Sequence, residues 1–428
     1  MSGRDAYDAI VLGAGVIGAA TAFALARDGH RVCVVDKGAV GGGSTSSSSA
    51  VVRTFYSTRE ACALAHEGFH AWEGFADHVG PVPGPVARLH ARGAVVMKTP
   101  GNGYLRGAMT MSRGLGIPFV EWDAARLTGA LPHYDLASFA PCRRPEDEGF
   151  ASPNGDRIAG AVFWPRSGWV DDPQLAARNL MDAAIREGAE VRRGTVTAVR
   201  RGDRVEGVTL ADGAAIDAPV LVLCAGPWSR KVLAMAGVDD LGVGLRPLRQ
   251  ECAHVPPPPG VDVDALPVIS DDDVGVYMKP GRTLAIGTQG PACDPEVEED
   301  PDAFDRSPTE QWTAQVMRYA QRVPSLGIPS RMAGVTDLYD ATEDWLPIYD
   351  RAALPGLFLA CGSSGNQFKN APVAGWLMAR LVAHQAEGGD HDADPLTVTL
   401  PRTGERLALA AFSRLRRPTA ASSFSVLG

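Results

Sequence analysis

The sequence predicts a mixed α/β (α+β) fold that combines a parallel strand–helix unit with a second, largely antiparallel sheet, and two observations lead to this prediction. Near the start, a short apolar run at residues 7–12 enters a glycine-rich turn, a helical pattern and a second apolar run at residues 31–35. Between residues 243 and 288, several short apolar runs are separated by turn residues, as in antiparallel sheets. The length of 428 residues allows two to three domains.

The glycine turn of the first unit has the spacing of a Rossmann-like dinucleotide-binding fold. Gly13 permits the tight turn, Gly15 lets the backbone approach a pyrophosphate, and Gly18 lets the helix pack closely on the strand. The N-terminus of the helix favours phosphate groups, and Asp36, at the end of the second strand, can bind a ribose diol. An ordinary glycine turn is the alternative, and the motif alone does not distinguish FAD from NAD.

The segment after the second strand consists of small residues. Glycines and then mainly serines occupy residues 41–49, so that backbone amides and hydroxyl groups can surround a cofactor; a flexible linker is the alternative. Residues 50–56 follow, and apolar residues at helical spacing predict a helix over residues 60–78. The proline-rich residues 81–85 indicate a crossing between domains.

The next part of the chain contains short elements and one long irregular stretch. A strand is predicted at residues 94–98, a helix at residues 102–116, and irregular structure at residues 135–168, where glycine and proline are frequent. Asp172 as the N-cap and Pro173 in the first helical position predict a helix that continues to about residue 187.

Strand patterns return in the second half of the chain. Residues 190–196 and 199–210 are predicted to form strands of a small meander, and residues 219–224 an apolar strand. The acidic residues 294–305 predict a solvated loop, and residues 309–322 a helix.

A second glycine loop lies towards the C-terminal end. The apolar residues 357–361 predict a strand, residues 362–370 form the loop, and a helix is expected to begin near Ala371. A second helix N-terminus therefore follows a second glycine loop. The sequence beyond about residue 403 is basic, serine-rich and poorly patterned, which predicts an appendage of uncertain order.

The bulk properties exclude several classes of protein. The net charge is −9 and no block of basic residues occurs, so nucleic acid is not an expected partner. An apolar stretch long enough to span a membrane is absent from the sequence. The first residues lead directly into a predicted strand, so a signal peptide is not expected. Seven scattered cysteines, without metal-ligand spacing, predict reduced thiols in a cytoplasmic protein without a metal site.

Together these motifs resemble the D-amino-acid-oxidase-like FAD-dependent oxidoreductases, and within them the monomeric sarcosine oxidase and N-methyltryptophan oxidase type. The resemblance covers roughly residues 7–400. It rests on the N-terminal glycine motif, the serine-rich loop leading into residues 53–56, the segment at 223–228, the segment at 342–347 and the second glycine loop.

The resemblance implies a discontinuous FAD-binding domain and an interleaved substrate domain. The implied FAD-binding domain consists of residues 1–90, 152–228 and 330–403. The implied substrate domain consists of residues 91–151 and 229–329, and residues 404–428 form the C-terminal tail.

The resemblance also implies a set of site residues. An arginine after the serine-rich loop and a lysine in the second glycine loop face the substrate in such enzymes, and Arg53 and Lys369 hold these positions; Tyr277 matches a pocket tyrosine. The expected catalytic residues are therefore Lys369, Arg53 and Tyr277. The expected FAD-binding residues are Gly13, Gly15, Val16, Ile17, Gly18, Asp36, Lys37, Ser44, Thr45, Ala225, Gly226, Trp228, Gly362, Gly365, Asn366, Phe368 and Lys369.

Two departures from the sarcosine-oxidase pattern limit what can be carried over. The stretch that matches the flavin attachment site, residues 334–339, contains no cysteine, so FAD is expected to be bound non-covalently. Thr288 stands where that type has a pocket histidine, so the substrate need not be sarcosine.

These residues predict an FAD-dependent oxidase of a secondary amine or amino acid, with molecular oxygen as acceptor and an imine and hydrogen peroxide as products. Arg53 would bind a substrate carboxylate through two parallel hydrogen bonds, and Lys369 would supply positive charge where oxygen reacts. Two alternatives remain open at this point. One is a dehydrogenase of an amine or 2-hydroxy acid that passes electrons to another carrier, and the other is a non-catalytic flavoprotein subunit.

Overall fold

The computed structural model describes residues 7–419. Its α-helices, in chain order, are α1 (Val16–Arg27), α2 (Arg59–Glu73), α3 (Phe75–Val79), α4 (Tyr104–Gly114), α5 (Ala124–Ala130), α6 (Pro173–Arg186), α7 (Ser229–Ala236), α8 (Glu310–Arg322) and α9 (Ala371–Ala386).

The strands of the described residues, in the same order, are β1 (Ala9–Leu12), β2 (Val32–Asp36), β3 (Val51–Val52), β4 (Leu89–His90), β5 (Ala94–Met97), β6 (Val120–Asp123), β7 (Gly160–Trp164), β8 (Gly168–Val170), β9 (Glu190–Arg193), β10 (Val196–Arg201), β11 (Val205–Leu210), β12 (Ala215–Asp217), β13 (Val220–Leu223), β14 (Leu245–Val255), β15 (Val268–Asp271), β16 (Val276–Lys279), β17 (Leu284–Thr288), β18 (Gly334–Thr342), β19 (Ile348–Arg351), β20 (Leu357–Cys361), β21 (Thr397–Thr399) and β22 (Arg406–Ala408).

The first large sheet has the strand order β19-β20-β13-β1-β2-β9 and is parallel except for the edge strand β19. Its centre, β1, is completely buried, with Ala9 opposite Val32 on one side and Val220 on the other. Helix α1 covers this sheet and packs against α6 and α9. A parallel sheet buried beneath helices explains why its strands are continuous apolar runs rather than alternating ones.

The expected meander is partly wrong. The segment predicted at residues 190–196 forms β9, which extends the first sheet by pairing in parallel with β2. The meander instead consists of β10, β11 and β12, an antiparallel three-stranded sheet. The charged residues of β9 are all exposed, because β9 lies at the edge of the first sheet. Edge strands need no apolar pattern, so the sequence could not distinguish β9 from a meander strand.

The second large sheet has eight strands in the order β18-β14-β17-β16-β15-β5-β7-β6. All of its pairings are antiparallel except that of β15 with β5. Helix α8 packs on β14 and β17. The predicted fold class, a Rossmann-like parallel unit with a largely antiparallel second sheet, is confirmed.

Two strands of the second sheet come from segments that were expected elsewhere. Strand β7 lies within residues 135–168, which were predicted to be irregular, and within the implied FAD-binding segment 152–228. Strand β18 lies in the implied FAD-binding segment 330–403, yet it pairs with β14 over nine residues. The division into two domains stays a proposal, and these pairings move strands β7 and β18 to the second sheet.

The predicted helix over residues 60–78 is interrupted. Gly74 ends α2 and precedes α3, and its φ of −100° and ψ of 31° depart from helical values. The helix predicted after Asp172 is confirmed, because the Asp172 carboxylate accepts a hydrogen bond of 2.8 Å from the backbone amide of Leu175. Within residues 7–419, none of the helices has the length and apolar character needed to cross a membrane.

The tail was expected to be an appendage of uncertain order, and over residues 404–419 it packs on the rest of the molecule; residues 420–428 lie outside the described part. Strand β22 pairs with β21, and Phe412 is completely buried. The Arg414 side chain forms ion pairs with Asp350 at 3.4 Å, with Asp392 at 2.7 Å and with Asp240 at 2.8 Å. Arg414 alone therefore pairs with acids from three other segments of the chain, which local sequence patterns do not reveal.

Candidate active site

The turn between β1 and α1 admits only glycine at two of its three motif positions. A Cβ atom on Gly13, whose φ is +111°, would lie 2.3 Å from the carbonyl oxygen of Cys224. A Cβ atom on Gly18 would lie 1.9 Å from the carbonyl oxygen of Gly13. Both distances are far below van der Waals contact, so these glycines hold the turn against the end of β13 and against its own helix.

The third glycine leaves space at the N-terminus of α1. A Cβ atom on Gly15 would meet only the Thr45 hydroxyl oxygen, at 3.1 Å, and that oxygen accepts a 3.0 Å hydrogen bond from the backbone amide of Val16. Helix α1 has no acidic residue in its first turn, and its N-cap residue, Gly15, has no side chain to cap it. Its partial positive charge therefore faces the space above Gly15.

Asp36 ties this turn together. Its two carboxylate oxygens accept hydrogen bonds of 2.6 Å from the backbone amides of Ala14 and Gly38. The sequence predicted a ribose-binding acid at this position, and the structure adds that the same acid braces the glycine turn.

A cavity of about 680 Å³ opens from the turn and extends between the two sheets. This volume lies within the usual range of cofactor and ligand sites. Its lining includes most of the predicted site residues: Gly13, Gly15, Val16, Ile17, Asp36, Lys37, Ser44, Thr45, Arg53, Ala225, Gly226, Trp228, Tyr277, Gly365, Asn366, Phe368 and Lys369.

Two predicted cofactor-binding residues, Gly18 and Gly362, are not part of the cavity lining. Gly18 serves the close contact with Gly13, and a Cβ atom on Gly362 would lie 2.5 Å from Thr342 Cγ2. Both are needed for packing behind the site. The roles of the lining residues in binding stay predictions.

The serine-rich loop attaches the first sheet to the second. Ser44 donates to the carbonyl oxygen of Leu338 at 3.0 Å, and Ser47 donates to the Asp337 carboxylate at 2.7 Å. The Ser49 hydroxyl lies 3.0 Å from the Tyr277 hydroxyl. The loop was expected to surround a cofactor. Ser44, Ser47 and Ser49 line the cavity, and their hydroxyl groups also hold the loop against β18 and β16.

Two cations of the cavity lining, Arg53 and Lys369, meet at one buried aromatic ring. The Arg53 guanidinium carbon lies 4.2 Å and the Lys369 ammonium nitrogen 4.8 Å from the centre of the Tyr56 ring. Arg53 donates to the carbonyl oxygen of Phe55 at 2.7 Å, and Tyr56 donates to the carbonyl oxygen of Asn366 at 2.9 Å. All three side chains are buried, and cation–π contacts of this kind are strongest when desolvated.

Burial changes the electrostatics of this cationic pair. Burial, together with the neighbouring Arg53 guanidinium, holds the pKa of Lys369 well below its usual range. Burial also lowers the pKa of Arg53. An anionic group placed beside them would raise both pKa values again, because it would offset the desolvation of the two cations. The full positive charge expected on Lys369 therefore depends on what binds next to it.

Helix α2 fixes the position of Lys369. The Trp72 indole donates to the Lys369 carbonyl oxygen at 2.7 Å, and a Cβ atom on Gly68 would lie 2.5 Å from that same oxygen. The Trp72 ring also stacks on Phe368 at 5.0 Å between centroids. Helix α2, from the N-terminal part of the chain, thus fixes the second glycine loop through these contacts.

Asp340, in β18, is a lining residue that the sequence analysis missed. Its Oδ1 atom accepts a hydrogen bond from the Ser363 hydroxyl, whereas its buried Oδ2 atom has no hydrogen-bond partner among the described residues. Burial raises the pKa of this carboxyl group. The signal that could have indicated Asp340 is an acidic residue within a strand next to the second glycine loop. Tyr56 was also not predicted as a site residue, although it lies in the motif at residues 53–56.

The acidic loop at residues 294–305 is more than a solvated loop. Asp302 forms an ion pair of 2.8 Å with Lys37 and one of 2.6 Å with Lys231, and it accepts a 2.7 Å hydrogen bond from the Trp228 indole. The Lys37 ammonium group lies 3.9 Å from the centre of the Trp228 ring. Asp302 lines the cavity, so the loop after β17 lies at the end expected to hold the nucleotide.

These features fit a bound FAD. The Gly15 position leaves room for a pyrophosphate at a helix N-terminus without an acidic residue in its first turn, and the cavity is of sufficient size. Gly13, Gly15, Asp36 and Thr45 would hold the nucleotide end, and the segment from Gly365 to Lys369 would lie beside the flavin. The fold and the site thus define a dinucleotide-dependent oxidoreductase.

Comparison with known proteins identifies the family. Residues 8–381 match the model of the DAO family, described as FAD dependent oxidoreductase. The chain belongs to this family, and it is an FAD-dependent oxidoreductase. The prediction of a flavoprotein enzyme of the amine and amino-acid oxidase type is confirmed.

The chain is similar to family members with different substrates or electron acceptors in their names, including the following three. Glycine oxidase of Geobacillus kaustophilus is 27% identical over 405 residues, which are 93% of this chain and 98% of the relative. Its crystal structure covers 97% of this chain and 98% of its own with a TM-score of 0.71 and 25% identity. Human peroxisomal sarcosine oxidase is 26% identical over 88% of this chain and 92% of the relative. D-amino acid dehydrogenase 2 of Ralstonia nicotianae is 24% identical over 88% of this chain and 96% of the relative.

Proposed function

We propose that this enzyme is an oxidase of a secondary amine or amino acid that carries a carboxylate, with molecular oxygen as acceptor and an imine and hydrogen peroxide as products. The observation that carries the proposal is that Arg53 and Lys369, which both line the cavity, are buried against the same Tyr56 ring. The relatives named glycine oxidase and sarcosine oxidase support the same substrate class.

A carboxylate is the group that this cationic pair would bind best. Two buried cations with lowered pKa values gain from an anion at hydrogen-bond distance. The planar guanidinium of Arg53 matches the two oxygens of a carboxylate, which would fix the carbon next to nitrogen against the cofactor. FAD, when bound, accepts the hydride equivalent from that carbon.

The remaining side chains would orient the substrate and exclude water. Tyr277 and Ser49 share a hydrogen bond in the wall, and Tyr277 can turn its hydroxyl group towards an amine or a carboxylate. Thr288 lines the same cavity, but its hydroxyl donates to Asp294, so it contributes a methyl group to the pocket. We therefore assign Thr288 to pocket shape rather than to proton transfer.

The decisive experiment is anaerobic reduction of the flavin by candidate substrates. The panel should contain N-methyl, cyclic and ordinary amino acids, each paired with its decarboxylated amine. Loss of flavin colour with a carboxylated compound, followed by oxygen uptake and peroxide formation on admitting air, is the expected result. Reduction only by decarboxylated amines would contradict the carboxylate assignment.

A dehydrogenase is the second candidate, and one observation favours it. The lowered pKa of Lys369 weakens the positive charge that oxygen reduction would use, and D-amino acid dehydrogenase 2 is among the relatives. An enzyme whose reduced flavin persists in air but reacts rapidly with an artificial electron acceptor would establish this alternative. A protein that no member of the panel reduces would instead support a non-catalytic flavoprotein subunit.

The cytoplasm is the location that we propose for this enzyme. All seven cysteines are unpaired in the structure, which suits a reducing compartment. Fractionation of the source cells with an antibody against the protein would test this assignment.

A further inference from the structure

We propose that Cys142 and Cys293 form a peroxide-sensitive dithiol that is oxidised to a disulfide, with Cys293 as the attacking thiol. The two sulfur atoms lie 3.7 Å apart, although the residues come from loops far apart in the chain. Neither residue belongs to the cofactor cavity. The pair therefore constitutes a separate site for chemical modification.

A buried arginine holds the two sulfur atoms together. The Arg318 guanidinium lies 3.2 Å from the Cys142 sulfur and 3.4 Å from the Cys293 sulfur. Its other nitrogen forms a 2.7 Å ion pair with Asp294, which sets the direction of the guanidinium. A guanidinium in contact with sulfur stabilises the thiolate, which is the reactive form of cysteine. The hydrogen bond with Cys142 and the charge of Arg318 are consistent with this, since they lower the pKa of Cys293 to about 7.

Access distinguishes this pair from the other cysteines. Cys142 and Cys293 are partly exposed, whereas the remaining five cysteines are buried. Burial raises the pKa of several of those, including Cys224 and Cys252. A small oxidant dissolved in water therefore meets a reactive thiolate only at the Cys142–Cys293 pair.

The oxidant that suits this site is hydrogen peroxide. The Cys293 thiolate attacks one peroxide oxygen, the O–O bond breaks, and the departing hydroxide takes a proton to become water, leaving a sulfenic acid. The Cys142 sulfur then displaces the hydroxyl group from Cys293, and the Cys142 proton leaves with it as a second water. Two thiols and one peroxide thus give one disulfide and two waters. The proposed oxidase would produce peroxide itself, but the site reacts with peroxide from any source.

The pair is connected to the wall of the cofactor cavity. Asp294, next to Cys293, accepts a hydrogen bond from Thr288, which lines the cavity. Asp294 also accepts a 2.9 Å hydrogen bond from Gln311 in α8. Closing the sulfur–sulfur distance to the roughly 2.05 Å of a disulfide must move one or both cysteines, and a shift of Cys293 would be passed to Asp294 and Thr288.

The test uses the reduced, FAD-loaded full-length protein and one to two equivalents of added hydrogen peroxide. Because the oxidant is added, the result does not depend on whether the enzyme produces peroxide. Peptide mapping should find a Cys142–Cys293 disulfide first, with the other five thiols still free and with full recovery of thiols on reduction. A disulfide elsewhere, or equal oxidation of all seven cysteines, would overturn the proposal.

Three variants assign the roles. Cys142→Ser should leave a sulfenic acid on Cys293 that dimedone captures, because the partner thiol is missing. Cys293→Ser should slow thiol oxidation by peroxide at least 10-fold. Cys361→Ala, which removes a buried cysteine remote from the pair, should oxidise like the unmodified protein. Failure of dimedone to label Cys142→Ser, or unchanged oxidation of Cys293→Ser, would show that Cys293 is not the attacking thiol.

Discussion

The ammonium nitrogen of Lys369 lies 4.8 Å from the centre of the Tyr56 ring and donates a hydrogen bond to the carbonyl oxygen of Asn366. The same carbonyl oxygen also accepts a hydrogen bond of 2.9 Å from the Tyr56 hydroxyl group. One backbone oxygen of the second glycine loop thus fixes both the lysine and the ring beneath it. Changes at Tyr56 and Lys369 should therefore affect each other and would be analysed as a double-mutant pair.

Lys369→Met should slow the reaction of the reduced enzyme with oxygen far more than the reduction of the enzyme by its substrate. One well-placed charged donor typically contributes about 10²–10³ in rate. Stopped-flow measurement of the two half-reactions tests this expectation. Equal effects on both would mean that Lys369 chiefly binds substrate.

The pH dependence gives an independent check on Lys369. Its pKa is lowered, and a lysine is charged only below its pKa, so the oxygen reaction should slow as pH rises through that pKa. The Lys369→Met variant should not show this decrease in rate with rising pH. A decrease that persists in the variant would reflect the titration of another group.

Arg53→Lys should raise the dissociation constant of a carboxylated substrate by about 30-fold or more. Loss of a desolvated charge pair costs about 2–5 kcal/mol, and each 1.4 kcal/mol is about tenfold. A lysine cannot reproduce the two parallel hydrogen bonds of a guanidinium. Flavin content should remain near normal, because the nucleotide end is expected to bind elsewhere in the cavity.

The matching control for Arg53→Lys is the decarboxylated amine. It should react poorly with the unmodified enzyme and be nearly indifferent to the substitution. If the substitution weakens the binding of both compounds equally, Arg53 positions the loop or the flavin rather than binding the carboxylate.

Local sequence patterns correctly predicted the structure at positions where the backbone geometry allows only one or a few residue types. Gly13, Gly18 and the Asp172–Pro173 helix start are of this kind, because a close contact or a cap leaves few alternatives. Strand β9 and the tail around Arg414 are not, since their partners lie far away in sequence. In the candidate site, the motifs indicated Arg53 and Lys369 but not Tyr56 or Asp340, whose importance depends on three-dimensional neighbours.

Gly15→Val should abolish FAD binding, because the new side chain would occupy the space expected for the pyrophosphate. Flavin absorbance per protein after purification measures this. Gly129→Ala, at a position in α5 where a Cβ atom meets nothing within 4 Å, is the control and should retain its flavin.

A second variant separates two causes of the Gly15→Val effect. The nearest atom to an added Cβ is the Thr45 hydroxyl oxygen, which Thr45→Ala removes. If the loss of FAD reflects the space of the cofactor, combining the two substitutions should not restore binding. Restoration would show that the clash with Thr45 was responsible.

The flavin should separate from the protein on acid precipitation and appear in the supernatant. Residues 334–339, which match the attachment stretch, contain no cysteine. Cys252, however, lies opposite Val335 in the neighbouring strand and lines the cavity. Flavin that remains in the pellet would contradict non-covalent binding, and its loss in Cys252→Ala would then identify the attachment residue.

Arg414→Met should lower the free energy of unfolding by about 3–5 kcal/mol, because it leaves buried acid without its cation. Asp350 is fully buried and lies 3.4 Å from the Arg414 guanidinium. Arg59→Met is the matched control: its ion pair with Glu405 is exposed, and its loss should cost less than about 1 kcal/mol. Chemical denaturation of the FAD-loaded proteins measures both. Equal effects would mean that the Arg414 cluster adds nothing beyond a surface pair.

The strand order of the first sheet has a consequence for biosynthesis. Strand β1 is hydrogen-bonded between β2, which follows within a few residues of α1, and β13, which begins only at Val220; the next strand outwards, β20, begins at Leu357. On the ribosome, β1 and β2 therefore emerge long before the strands that enclose them. For that interval an apolar strand edge is open to other nascent chains, so the yield of native enzyme should depend on chaperones that cover the N-terminal segment until the second half of the chain has been translated.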